Sequence, residues 1–361
     1  MFKNFRTLMV KLTLLTVTIS FYNVPCSFTC EANDAKEALK PLENTKSPLD
    51  SVPDIDYCTV EPNEMGTIMI LMYHGLVKSK PHVSYQRTAD DFKMDLKNLY
   101  EAGYRLVSLN DIIDNDIKVS VGYSPVAFVF DDGLSSTFSL ESDVNGNLVP
   151  KEGCAVDILQ KFAAEYPDFG NAATFAIIGV DEPFKGAGTV QERLKYLIDN
   201  GYDIANHTYS HKNLRSLDAY PLQQEIGKQH NNLKELLPDD YVVRSIVYPY
   251  GQRPKSALRA FAIKGLCDGI EYNYDIALRE GQSGSSATPG HVEFDPLNAP
   301  RVRASENEET DLGWCLEYYK NNPQKRYVSD GDPDTVSVPK GYADKINLED
   351  PRLFGKEVII Y

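Results

Sequence analysis

Along most of this chain, short continuous apolar runs alternate with longer amphipathic stretches. Thr67 to Tyr73, Ser124 to Phe130, Ala173 to Ile178 and Ser245 to Tyr248 read as buried strands. Between and after them, Ala89 to Ala102, Ala155 to Tyr166, Val190 to Asn200 and Leu222 to Leu237 read as helices. Leu194 to Asn200 is amphipathic and stops at Gly201, after which Tyr202 to Ala205 reads as a short strand. Leu106 to Leu109 leads into a short helix near Asp111, and helix Lys255 to Lys264 leads into strand Gly269 to Ile276. Repeated strand–helix units predict an α/β protein built on a parallel barrel.

Two segments fall outside the repeat. Leu140 to Gly153 is predicted as a turn-rich lid or hairpin beside the functional site. Its Asp143, Asn145 and Asn147 are like a calcium loop, but the full spacing and final Glu are missing. Lys320 to Tyr361, with a short strand at Thr335 to Val338, is expected to pack on the barrel. At the other end, Lys3, Arg6 and Lys11 precede the apolar, Thr-rich run Leu12 to Tyr22, the pattern of an export signal. An uncleaved membrane anchor is the competing reading, although the run is short for a permanent span.

Composition narrows the class. The 361 residues suffice for one large or two ordinary domains, and 42% hydrophobic with 11% aromatic residues can fill a sizeable core. A net charge of -15 argues against nucleic acid and against anionic membrane surfaces. Of the 6 Cys, Cys26 and Cys30 lie near the signal-like segment. Cys58, Cys154, Cys267 and Cys315 show no C-x-x-C zinc pattern; Cys267 and Cys315 either pair or remain buried thiols.

The candidate chemistry sits in two short segments, Phe130-Asp131-Asp132-Gly133 and His207-Thr208-Tyr209-Ser210-His211. Together they offer two carboxylates and two imidazoles. Three such groups can hold a metal with an open position for water, and the fourth can act as a base. The turn at Gly133 can aim both carboxylates into one pocket. Burying two like charges together is costly without a cation. His207 and His211 are four apart, so a helical turn would put them on one face. Taken alone, each segment also suits a solvated turn or surface histidines. Their shared place at strand ends favours a site.

These motifs resemble the polysaccharide deacetylase family (carbohydrate esterase family 4, the NodB-homology group). Val129-Phe130-Asp131-Asp132-Gly133 is similar to its first motif, His207 to His211 to its second, and Pro249-Tyr250-Gly251 to the end of its third. Ala173 to Ala176 and the run Leu197 to Asn206 resemble the segments between them. Order and spacing agree over most of residues 66 to 305. The resemblance implies a distorted (β/α) barrel of seven strands. It makes Asp132, His207 and His211 the metal ligands and Asp131 the general base. The backbone N–H of Tyr250 would join the metal at the oxyanion. Zinc is the first expectation, although an Asp-His-His set also accepts Co2+, Ni2+ or Fe2+.

Some of the family pattern is missing. No Arg immediately precedes Pro249, the only Trp is Trp314 in an unrelated setting, and no late Leu-x-x-His occurs. His291 falls in that region but reads as a loop residue. His74, ending Ile68 to Tyr73, resembles instead the Leu-Met-Tyr-His segment of exported poly-N-acetylglucosamine deacetylases, where this early His is the general acid. A satisfied core histidine is the plainer alternative. Pro300-Arg301-Val302-Arg303 resembles a late strand of that branch, and Arg301 is expected to supply the missing positive charge near Asp131. A solvated strand-edge Arg is the alternative there. His82 reads as a loop residue and His230 as exposed.

The resemblance divides the chain into a signal peptide or membrane anchor (1–32), a linker (33–65), a catalytic domain (66–320) and a C-terminal extension (321–361). The expected activity is removal of N-acetyl groups from an extracellular or cell-wall polysaccharide, with poly-N-acetylglucosamine first. Peptidoglycan deacetylation, O-acetyl esterase activity and a non-catalytic glycan-binding role are the alternatives. An extracellular or cell-surface location is implied, with a membrane tether if the N-terminus is not cleaved.

Overall fold

A computed structural model describes residues 18–21 and 55–361, apart from residues 80, 82, 281–283 and 307. Most of the signal or anchor and linker segments, and His82, lie outside the described residues. Thr18–Phe21, inside the signal-like run, pairs in parallel with Glu357–Ile360. Among the described residues, no helix is long and apolar enough to cross a membrane.

Eight parallel strands make the central sheet. They are β1 (Met69–Tyr73), β2 (Tyr104–Leu106), β3 (Ser124–Phe130), β4 (Thr174–Ile177), β5 (Asp203–Asn206), β6 (Ser245–Val247), β7 (Ile276–Glu280) and β8 (Ala299–Arg303). Seven of them close a ring in the order β1-β8-β7-β6-β5-β4-β3, and β3 pairs back onto β1 from Met69↔Val126 to Tyr73↔Phe130. This is the distorted seven-stranded barrel that the resemblance implied. The short β2 pairs with the first half of β3, whose last residues pair with β4.

The strand period of two explains why each strand is apolar throughout. Ile70, Val129, Ala176, Ala205, Val247 and Leu278 face the barrel interior. Leu71, Phe128, Phe175, Ile204 and Val302 face outward, against a helical layer. That layer includes α1 (Ala89–Glu101), α3 (Ala155–Glu165), α4 (Val190–Asp199) and α5 (Ala219–Leu236). The short α2 (Leu109–Asp114) contributes Leu109, Ile112 and Ile113 to the interior cluster. Helices α1, α2 and α4 each begin with a reciprocal capping box, at Thr88, Ser108 and Thr189.

Leu106 to Leu109 leads into α2 as expected, with Ser108 as its cap. Two expectations need correction. The helix expected at Lys255 to Lys264 is two short turns, Ser256–Leu258 and Ala260–Ile263. The strand expected at Gly269 to Ile276 is the second arm of an antiparallel hairpin, Lys264–Cys267 with Ile270–Asn273, packed on α5. The barrel strand is the next segment, Ile276–Glu280.

The insertion forms a hairpin, Leu140–Ser142 with Leu148–Pro150, whose turn is held by Asp143 accepting from the N–H groups of Asn145 and Asn147. Residues beyond α6 (Leu312–Asn321) add strands Thr335–Val338 and Glu357–Ile360, which bury Val336, Val338 and Val358 against Met65. Buried Glu64 ties them to the barrel, accepting from the Tyr327 hydroxyl and the Ser337 N–H at 2.9 Å each. Cys154, Cys267 and Cys315 are free and buried, so Cys267 and Cys315 do not pair.

Candidate active site

The strands deliver their polar residues at one end of the barrel. His74 follows β1, Asp131 and Asp132 follow β3, His207 follows β5 and the Pro249–Gly251 turn follows β6. This is the C-terminal rim, where βα-loops converge.

Asp131 continues β3, its N–H donating to the Tyr73 carbonyl at 2.9 Å. The next residue breaks the alternation of the strand. Asp132 has φ 74° and Gly133 φ 67°, so the two adjacent carboxylates turn to the same side. A Cβ on Gly133 would also meet Pro183 at 3.2 Å.

The two histidines do not share a helical turn, as their spacing suggested. They sit in a loop in which Thr208 (φ 65°) and His211 (φ 53°) are left-handed, and their ring centroids come within 4.8 Å. Helix α5 clamps this loop. Glu225 accepts from the N–H of Ser210 (2.9 Å) and its hydroxyl (2.7 Å), and its carbonyl accepts from Tyr209. Buried Asn206 accepts from the Thr208 N–H at 2.7 Å.

Asp132, His207 and His211 present ligand atoms that all lie within 4.8 Å of one another. Asp132 Oδ1 is 3.4 Å from His207 Nε2 and 3.6 Å from His211 Nε2. Two ligands each about 2.1 Å from a tetrahedral ion would lie roughly 3.4 Å apart, so the spacing fits. Asp132 Oδ1 is buried without a hydrogen-bond partner. His207 Nδ1 lies 2.9 Å from the Val247 carbonyl; donation there places the proton on Nδ1 and turns the Nε2 lone pair towards Asp132. The donor set therefore suits a divalent cation.

On the other side of this triad, Asp131 is 2% exposed and is gripped by Arg301. Two parallel N–H···O bonds of 2.8 Å join the guanidinium to both carboxylate oxygens. Burial pushes the Asp131 carboxyl up, but the Arg301 charge, His207 and these hydrogen bonds outweigh it and hold it at about 2. His74 Nε2 stands 3.8 Å from Asp131 Oδ2. Burial lowers the His74 pKa against the pull of Asp131 and Asp132.

The Pro249-Tyr250-Gly251 turn closes the site beside His211. Tyr250 adopts φ 57° and is 62% exposed, with its ring 4.7 Å from that of His211. Gly251 has φ 62°, and a Cβ there would lie 2.8 Å from the Glu280 Cβ. All seven residues singled out in the sequence thus converge on one rim. His230 and His291 do not. His230 is half-buried rather than exposed, against the Tyr274 hydroxyl (3.2 Å), and His291 is a loop residue elsewhere. Sequence reasoning missed Glu225 and Tyr85, whose ring lies 4.7 Å from that of His74.

The polysaccharide deacetylase family matches residues 118–266, a stretch carrying Asp131, Asp132, His207, His211 and Tyr250. Solved structures agree on the fold. The Streptococcus pyogenes deacetylase PplD in complex with acetate is 20% identical, with TM-score 0.51 over 70% of this chain and 97% of that one. The Bacillus cereus polysaccharide deacetylase BC0361 is 20% identical, with TM-score 0.50 over 70% of this chain and 68% of that one. IcaB from Ammonifex degensii, at 18% identity and TM-score 0.44 over 70% of this chain and 97% of that one, is too distant to place the chain in a branch.

Proposed function

We propose that this protein is a deacetylase that hydrolyses N-acetyl groups of an extracellular or cell-wall polysaccharide, with poly-N-acetylglucosamine as the first substrate. The observation that carries this reading is the buried Arg301–Asp131 pair facing His74 beside the Asp132–His207–His211 triad. Acid and arginine come from β1 and β8, as in the exported branch that the sequence resembles.

Asp132, His207 and His211 would hold a divalent cation, zinc in the first instance, which supplies Lewis-acid polarisation and lowers a water pKa towards ~7. Arg301 keeps Asp131 ionised across the neutral range, so Asp131 is ready to accept a proton from the attacking water. The backbone N–H of Tyr250 donates to the oxygen that becomes negative as water adds to the amide carbon, an interaction worth roughly 3 kcal/mol of barrier. His74 then gives a proton to the departing nitrogen, and acetate and a free amine result.

Acetate release tests this reading across poly-N-acetylglucosamine, peptidoglycan, chitin oligomers and acetylated xylan. Fastest release is expected from poly-N-acetylglucosamine. Preference for xylan would make the protein an O-acetyl esterase, and preference for peptidoglycan would move it to the cell wall. Oligomer binding with no acetate release under several metals would sink the catalytic reading. Residues 1–32 are assigned to export or anchoring. Mass determination of the secreted chain checks this, and a full-length cytosolic product would contradict it.

A further inference from the structure

A second cavity, of about 620 Å³, opens on the outer side of the barrel. It lies where β8 and β1 diverge. Their pairing is limited to Val302↔Leu71 and Arg303↔Met72, and lower down Ser286 takes the place of β8, exchanging backbone hydrogen bonds with Ile68. The lining includes Thr67 and Asn298, which precede their strands, whereas the catalytic rim follows the strand ends. None of the seven catalytic-rim residues lines this cavity, so the two sites are separate.

The lining has two characters. One wall is aromatic, with Tyr318, Tyr319 and Tyr342. Tyr318 is stacked face to face with Trp314, the only tryptophan of the chain, at 4.8 Å and 11°. The rest is polar and nearly balanced in charge, with Arg279, Lys325 and Lys345 against Glu293 and Asp295. Asn298 Oδ1 is buried there without a hydrogen-bond partner. Balanced charge disfavours a strongly anionic ligand. An aromatic wall with a free amide acceptor suits a neutral ligand that has apolar faces and hydroxyl donors on its edge, and the volume is that of small-molecule sites.

We propose that this cavity binds a neutral sugar residue of a glycan chain, giving the deacetylase a second hold on its polymer away from the catalytic rim. The proposal rests on the reading of the catalytic site only for the choice of sugar.

Trp314 makes the test selective, because it is the sole tryptophan and it stacks on the cavity wall. The full chain is titrated with N-acetylglucosamine hexamer while tryptophan emission is followed. A saturable change is expected in the parent and equally in Asp132→Ala, which cripples only the catalytic rim. Tyr318→Ala should weaken the half-saturation point at least tenfold. Its kcat/KM on N-acetylglucosamine trimer should stay within twofold of the parent, while its KM on polymer rises. Tyr342→Ala carries the same expectation and replaces Tyr318→Ala if that variant melts early. No saturable change in the parent, a change lost in Asp132→Ala, or unaltered binding in the cavity variants would each overturn the proposal. Failure of acetate release in the parent would instead count against the catalytic reading, since this titration needs no turnover.

Discussion

Replacing Arg301 by glutamine removes the guanidinium but keeps a side chain that can hydrogen-bond. Both members of the Arg301–Asp131 pair are buried, at 1% and 2% exposure. Breaking such a pair from one side typically costs about 3–5 kcal/mol, because the remaining carboxylate stays buried and uncompensated. The pKa gives a second measure. Asp131 lies at about 2 against 3.8 for an ordinary Asp, a net preference for the ionised form of roughly 2 kcal/mol. This stabilisation is fully present above the unfolded pKa and fades as pH falls through 3.8 towards 2. Without Arg301, the Asp131 carboxyl is expected to titrate higher than in the parent, because burial is then opposed only by the histidines.

Arg301→Gln should therefore lose about 3 kcal/mol of unfolding free energy at pH 7, measured by urea denaturation. Its acetate release should drop at least tenfold and fail at a higher pH on the acid side. Adding Asp131→Asn should restore much of the stability and none of the activity. An unchanged urea midpoint for Arg301→Gln, or full turnover in that variant while Asp131→Asn is dead, would refute the reasoning.

Other expectations are shorter to state. Chelation should abolish acetate release and a stoichiometric divalent ion should restore it, whereas His207→Ala should bind less than one ion per chain by elemental analysis. His74→Gln should lower kcat by about 10²–10⁴ with little change in KM, and a loss under tenfold would mean that another group protonates the amine. Asp203 starts β5 far from the rim, half-buried; burial, with Asp111 adding, pushes its pKa up to about 7 against Arg244. Its charged form is disfavoured in the fold, so stability falls as pH rises through 7. Asp203→Asn should then be more stable than the parent at pH 8, by up to about 4 kcal/mol, and the gain should shrink towards pH 4. Equal urea midpoints at pH 8 would contradict this.

Much of the site was legible because its groups are local in sequence. Asp131-Asp132-Gly133 announces a turn at a strand end, and only the sign of φ at Asp132 was missing. His207 and His211 were rightly paired by spacing, but for the wrong geometry, since left-handed Thr208 and His211 do the work assigned to a helix. Arg301 was legible only by resemblance, because its partner is 170 residues away. Glu225 carried no local signal at all; its importance comes from accepting contacts of Tyr209, Ser210 and Lys212 across space. The misplaced strand has a physical cause too. Ile270–Asn273 and Ile276–Glu280 are similar short mixed runs, and only pairing distinguishes a hairpin arm from a barrel stave.

The ring closure between β1 and β3, with β8 completing the circle, also sets an order of assembly. Asp131, Asp132, His207 and His211 leave the ribosome long before Arg301, which follows His211 by about 90 residues. At roughly 5–20 residues per second that interval is about 5–18 s. During it, the nascent chain holds the groups that would capture a cation but lacks the counter-charge that keeps its proton acceptor ionised. A chain cut short before β8 would carry the candidate ligands Asp132, His207 and His211 without either the ring closure or the Arg301 charge.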